Sequence, residues 1–114
     1  MALDPHAPVI VGVSQVTDRV SDPAEARSSL DLMEEALLAA ESDSGSANVV
    51  RNLGAIAVVG GLWRYTDPGL QLATRVGSDP VNTLLTSWSG HSPQLLLNHL
   101  AARIQAGEIG SAAV

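Results

Sequence analysis

The sequence predicts an α/β fold with a mainly parallel sheet and helices on both faces. Four short apolar runs are typical of strands, and segments with helical periodicity lie between successive runs. Ser, Asp, Pro and Gly stand at the boundaries of these segments. Strands that are joined through helices run parallel, because such crossovers are almost always right-handed.

The first half of the chain predicts two buried strands on either side of a helix. Residues 8–13 form a continuous apolar run after a proline, and residues 53–62 form a second run that ends in paired glycines. Ser28 or Ser29 caps the intervening helix. Its apolar face is expected to carry Leu30, Met33, Leu37 and Ala40.

The second half predicts a short helix from Asp67-Pro68 to Gly77, a buried strand over residues 81–86, and a longer final helix. Ser92 caps this final helix, which is expected to begin at Pro93 and stop at Gly107. Its predicted apolar stripe comprises Leu97, Leu100, Ala101 and Ile104.

The chain of 114 residues is expected to be one domain, residues 1–114, incomplete at its C-terminal end because a fourth strand begins near Ser111. The absence of cysteine excludes disulfides, thiolate metal sites and a cysteine nucleophile, and fits a cytoplasmic protein. A net charge of −6 argues against nucleic acid or an anionic membrane as partner. No apolar run spans a membrane, and the three histidines lack metal-ligand spacing.

The turn Ser89-Gly90-His91-Ser92 is the first candidate site, because a strand–turn–helix presents backbone N–H groups and the positive end of a helix dipole. His91 is a candidate base or hydrogen-bond donor to a ligand. Gly90 to Gln94 resembles a nucleophile elbow centred on Ser92, but Gln94 replaces the final glycine, and Pro93 has no N–H for an oxyanion hole. A helix cap is the better interpretation of Ser92.

The segment Trp63-Arg64-Tyr65 is the second candidate site, since it follows a predicted buried strand. Arginine and aromatic side chains are enriched at binding surfaces, so these residues are candidates for a ligand wall or a partner surface. The alternative is a tryptophan that closes the core beside a solvated arginine.

Three segments carry a family resemblance: PVIVGVSQVTDR, LGAIAVVGGL and SWSGHSPQLLLNHLAARIQAGEIGSAAV. With DPGLQLATRVGSDP they resemble the N-terminal half of the thiolase superfamily, in particular thiolase-like proteins of the acetyl-CoA acetyltransferase type, near the sterol-carrier thiolases. The resemblance implies the N-terminal half of a thiolase-like fold, acyl-CoA as the ligand, no separate cofactor, and a homodimer or a partner subunit.

The resemblance also assigns a nucleophilic cysteine to the N-terminus of the final helix. Aligning backward from residues 104–107 places this position at Gly90, or at Ser89 if the alignment shifts by one residue. Neither residue is cysteine, a hydroxyl is a weaker nucleophile, and no base is evident beside it in the sequence. The backbone N–H groups at the helix start remain as donors to a thioester oxygen. Ser92, Trp63 and Arg64 are the candidate substrate-binding residues.

Three functions remain open from the sequence. The first is a thiolase-like protein of acyl-CoA or lipid metabolism with altered chemistry, such as an aldolase that works with a partner subunit. The second is a non-catalytic acyl-CoA-binding or scaffolding protein. The third is a serine acyltransferase that uses Ser92.

Overall fold

The computed structural model describes residues 2–80 and 82–114. Their main helices are α1 (Ser29–Ser44), α2 (Pro68–Val76) and α3 (Ser92–Gln105), and their strands are β1 (Ala55–Val58), β2 (Asn82–Leu85) and β3 (Ala112–Ala113). The strands form one sheet in the order β2-β1-β3, with both pairs parallel. The α/β class and the parallel sheet are confirmed.

Helices cover both faces of the sheet because β1 alternates its side chains between two apolar clusters. Ile56 and Val58 pack with residues of α1 and α2 on one face. Ala55 and Ala57 pack with residues of α3 on the other face. All four side chains of β1 are buried, as expected for a central strand of a parallel sheet.

The helix ends follow the sequence signals closely. Ser28 accepts a hydrogen bond from the Asp31 N–H while Asp31 accepts one from the Ser28 N–H, which forms a capping box at the start of α1. Asp67 accepts from the Leu70 N–H at 3.0 Å and caps α2. Gly107, the second residue after α3, has φ +75°, a left-handed conformation that glycine adopts without a steric cost.

The predicted strand over residues 8–13 is wrong, because these residues form no strand and their large apolar side chains are exposed. The segment instead lies along α1. The Val13 N–H donates to Asp43 Oδ2 at 2.9 Å, and a Cβ on Gly12 would lie 2.1 Å from the Ala40 carbonyl oxygen. The apolar run has high β propensity, but β1 already has a partner strand on each side. The contacts of Gly12 and Val13 with α1 hold this segment on the helix instead.

The two other predicted strands are shorter or less buried than expected. Residues 53–62 yield a strand only over Ala55–Val58, and Leu62 beyond it is exposed. β2 lies at an edge of the sheet, where Leu85 is exposed, so the expectation of burial on both faces is wrong for this strand. Val81, the first residue of that prediction, lies outside the described residues.

The apolar stripe of α3 differs from the predicted one by one residue. Leu96 and Leu100 are 4% and 3% exposed and pack beneath the sheet, whereas Leu97 is 41% exposed. Ala101 and Ile104 are half-buried, in line with the prediction. Three successive leucines, Leu95 to Leu97, give two helical stripes of similar apolar character, and only packing against β1 distinguishes them.

Candidate functional site

The carboxyl ends of β1 and β2 lie side by side and lead into the segments that contain the candidate residues. The Gly60 N–H donates to Thr86 Oγ1 at 3.2 Å, and a Cβ on Gly60 would lie 2.3 Å from the Thr86 carbonyl oxygen. The glycine therefore permits a close approach between the two strand ends. Ligands of open α/β sheets bind at this carboxyl edge, which makes the turn after Thr86 the first place to look for a site.

The turn before α3 brings a hydroxyl and an imidazole together. Ser89 Oγ lies 2.7 Å from His91 Nδ1, so the hydroxyl donates to this nitrogen when the ring carries its proton on Nε2. His91 is exposed and Ser89 is half-buried. The sequence had shown no base beside the serine. The signal was the Ser-Gly-His spacing, but only the turn conformation joins the two side chains.

Gly90 stands between these residues, two positions before the start of α3, and faces open space. A Cβ added there would meet no heavy atom within 4 Å. Among the described residues, no acceptor is found for the backbone N–H groups of Gly90, His91 and Gln94. The turn thus presents uncommitted donors at the positive end of the α3 dipole, an arrangement that favours a carbonyl oxygen or an anion.

The prediction that Ser92 caps α3 is wrong. Ser92 is the first residue of the helix, is 2% exposed, and donates its hydroxyl hydrogen to the Ser87 carbonyl oxygen at 3.2 Å. His91 occupies the cap position without a side-chain hydrogen bond to the helix. The hydroxyl turns inward because the Ser87 carbonyl lies beyond the end of β2 and takes no backbone hydrogen bond from the described residues. A buried, donating hydroxyl is poorly placed to attack a substrate.

Trp63 and Arg64 have different environments. Trp63 is half-buried against the apolar cluster of α1 and α2, and its ring centroid lies 5.0 Å from that of Tyr65. Arg64 is exposed and forms no ion pair within residues 2–80 and 82–114. Trp63 therefore contributes to the core, and Arg64 beside it is solvated, which agrees with the alternative interpretation of this segment. A role of either residue in substrate binding stays a prediction.

The described residues contain no group of three or more histidine, aspartate or glutamate side chains that would hold a metal ion. Two open depressions of about 420 Å³ each border α1 rather than the turn before α3. The marked pKa change in a carboxyl group also lies on α1, at Asp31, and its causes are structural hydrogen bonds. In the described part of the chain, no helix is long and apolar enough to cross a membrane.

Comparison with known proteins identifies several solved structures that match this chain. One of them is a monomeric SCP2-thiolase like protein type 1 from Mycobacterium smegmatis, with 34% sequence identity and a TM-score of 0.78. The match covers 93% of this chain and 22% of that protein, so the chain spans about a fifth of its length. No family model and no curated protein matches the chain. The parallel sheet between α1, α2 and α3, the sequence segments around it and this structural match together show that the chain has a thiolase-like fold.

Proposed function

We propose that this chain provides the thioester-binding edge of a cytoplasmic protein that handles acyl-CoA in lipid metabolism. The observation that carries the proposal is the position of Gly90 before the first turn of α3, with open space where a side chain would stand. The position resembles the one at which active thiolases carry the cysteine sulfur that receives an acyl group, whereas this chain has glycine there. The open space would leave room for the thioester itself.

The backbone supplies the interactions that such a ligand requires. The N–H groups of Gly90, His91 and Gln94 have no acceptor among the described residues, and the α3 dipole adds positive potential. Preorganised donors of this kind stabilise the partial negative charge on a thioester oxygen or on an enolate derived from it. The ligand would thus be held by backbone groups that do not depend on a cysteine.

Calorimetric titration with acetyl-CoA, CoA and acetate tests this proposal. We expect acetyl-CoA to bind and CoA to compete with it, while acetate alone binds weakly because it lacks the nucleotide portion. Gly90→Leu should weaken acetyl-CoA binding by filling the open space. Gly110→Leu is the matched control, since a Cβ at Gly110 also meets nothing within 4 Å. Gly110 precedes β3, which lies at the opposite edge of the parallel sheet from β2.

Absence of binding by acetyl-CoA and by CoA would refute the proposal. Equal weakening by both leucine variants would show that the ligand does not contact the turn before α3. Circular dichroism of each variant separates a lost site from a lost fold.

A non-catalytic acyl-CoA-binding or scaffolding role is the second candidate function. The absence of cysteine from the chain favours it, because acyl transfer to sulfur requires a thiol. Binding of acetyl-CoA without turnover and without a covalent adduct would support this second role.

A further inference from the structure

The chemistry of the turn before α3 extends beyond its backbone donors. Ser89 Oγ and His91 Nδ1 are 2.7 Å apart, within the range of hydrogen-bonded nucleophile and base pairs in enzymes. Only Gly90 separates the two residues, and a Cβ added at Gly90 would meet no heavy atom within 4 Å, so the space beside it is open. A carbonyl carbon that enters this space would lie close to Ser89 Oγ, whose proton acceptor, His91 Nδ1, is already within hydrogen-bond distance.

We propose that Ser89 is the nucleophile and His91 the general base of a thioester hydrolase centre. For its substrate, the inference rests on the acyl-CoA binding proposed above, but the Ser89–His91 pair itself is independent of it. The pair also differs from the serine acyltransferase considered from the sequence, because Ser92 is buried and donates to Ser87.

The first half-reaction acylates the serine. Ser89 Oγ attacks the thioester carbon and forms a C–O bond, while its proton passes to His91 Nδ1. The tetrahedral intermediate then breaks its C–S bond, and the departing sulfur takes the proton from His91. The products are the ester of Ser89 and free CoA with its thiol restored.

The second half-reaction consumes one water molecule. His91 removes a proton from water, whose oxygen attacks the ester carbon of Ser89. The C–O bond to Ser89 breaks, and the serine oxygen recovers the proton from His91. The sum is a thioester plus water giving a carboxylic acid plus CoA, with enzyme and charge unchanged.

Within the described part of the chain, the surroundings of the Ser89–His91 pair supply donors for an oxyanion but no carboxylate for the histidine, so a slow hydrolase is expected. The N–H groups of Gly90, in the same turn as Ser89, and of Gln94, in the first turn of α3, have no acceptor in residues 2–80 and 82–114, so they are candidate donors to the developing oxyanion. Among the described residues, no carboxylate accepts a hydrogen bond from the second ring nitrogen of His91. Loss of the carboxylate from a serine-histidine-aspartate triad costs about 10⁴-fold in turnover, so we expect low rates.

Release of thiol from acetyl-CoA and from the acetyl thioester of N-acetylcysteamine measures the activity directly. The chain contains no cysteine, so a colorimetric thiol reagent reports only the released product. Mass spectrometry of peptides after brief incubation locates the acetyl group. The variants are Ser89→Ala and His91→Gln, with Ser87→Ala and His99→Gln as matched controls on exposed residues of the same turn and helix.

We expect an acetyl adduct on Ser89 and thiol release that Ser89→Ala and His91→Gln each lower by about 10²-fold or more, while the two controls retain it. The rate of adduct formation on Ser89 should fall in His91→Gln as well, because the serine proton then has no acceptor in contact. A purely structural role of His91 would not slow acylation in a variant whose circular dichroism matches the wild type.

Acetyl-CoA binding without thiol release or an adduct would overturn the hydrolase inference and leave the proposed function intact, with the Ser89–His91 contact a local stabiliser of the turn. An adduct on another residue would also overturn it. Hydrolysis of the small thioester without binding of CoA would support the Ser89–His91 pair and refute the acyl-CoA proposal.

Discussion

Arg75 Nη1 donates a hydrogen bond to Asp31 Oδ1 at 2.7 Å and thereby joins the last turn of α2 to the first turn of α1. The same guanidinium nitrogen lies 2.9 Å from Glu34 Oε2. The acidic side chain at a helix start and the basic one at a helix end each complement a helix dipole. The contact stabilises the two-helix layer that covers one face of the sheet.

The Arg75–Asp31 contact predicts a specific loss of stability in acid. The hydrogen bond from Arg75, followed by those from Ser28, lowers the pKa of Asp31 from 3.8 to about 2. This pKa is lower in the folded state than in the unfolded chain, so the ionised Asp31 stabilises the fold at pH values above 3.8. The contribution is lost as the pH falls from 3.8 through about 2. Urea unfolding across this range should show a smaller acid loss for Arg75→Gln than for the wild type.

Arg64→Gln is the control for removal of one positive charge, since Arg64 forms no ion pair within the described part of the chain. Its stability should follow the wild-type pH dependence. Parallel profiles for the wild type and Arg75→Gln would contradict the assigned cause.

The core face of α3 predicts unequal effects for two neighbouring leucines. Leu96→Ala should lower the free energy of unfolding by about 2 to 5 kcal/mol, because it leaves a cavity between α3 and β1. Leu97→Ala should change it by about 0.5 kcal/mol or less, since this side chain is exposed. Chemical denaturation measures both, and equal losses would show that the helix has a different rotation.

The close approach at Gly60 predicts a steric effect on the candidate site. Gly60→Ala would place a Cβ 2.3 Å from the Thr86 carbonyl oxygen. The two strand ends must then separate, and the free energy of unfolding should fall by about 1 to 3 kcal/mol. Acetyl-CoA binding should weaken as well, because the displaced segment leads into the turn before α3. Gly110→Ala meets nothing within 4 Å and serves as the control for adding a methyl group. Wild-type stability in Gly60→Ala would contradict the prediction.

The alignment of Gly90 with a nucleophilic sulfur predicts a gain of reactivity. Gly90→Cys, made in the Ser89→Ala background, should form an acetyl adduct on the introduced thiol when incubated with acetyl-CoA. A thiol near a helix N-terminus ionises more readily, which favours attack. Gly110→Cys in the same background also faces open space but lies at the opposite edge of the sheet. Mass spectrometry should find acetylation in the first variant alone, and similar acetylation of both would indicate non-specific reaction.

The sequence was sufficient where a structural feature depends on residues close together in the chain. The cap of α1 at Ser28, the start of α2 after Asp67 and the end of α3 shortly before Gly107 each involve a few adjacent residues. The parallel sheet also followed, because alternation of strands and helices restricts the possible connections. Residues 53–114 therefore gave the correct order of elements.

Only the tertiary structure decided which partner each of these segments meets. Residues 12–13 lie on α1 although residues 8–13 have the composition of a strand, since the hydrogen bond from the Val13 N–H to Asp43 and the close approach at Gly12 depend on distant residues. In the candidate site, the sequence identified the turn but not the Ser89–His91 contact or the inward orientation of Ser92. Side-chain direction depends on backbone dihedral angles and on available acceptors, which composition and spacing do not specify.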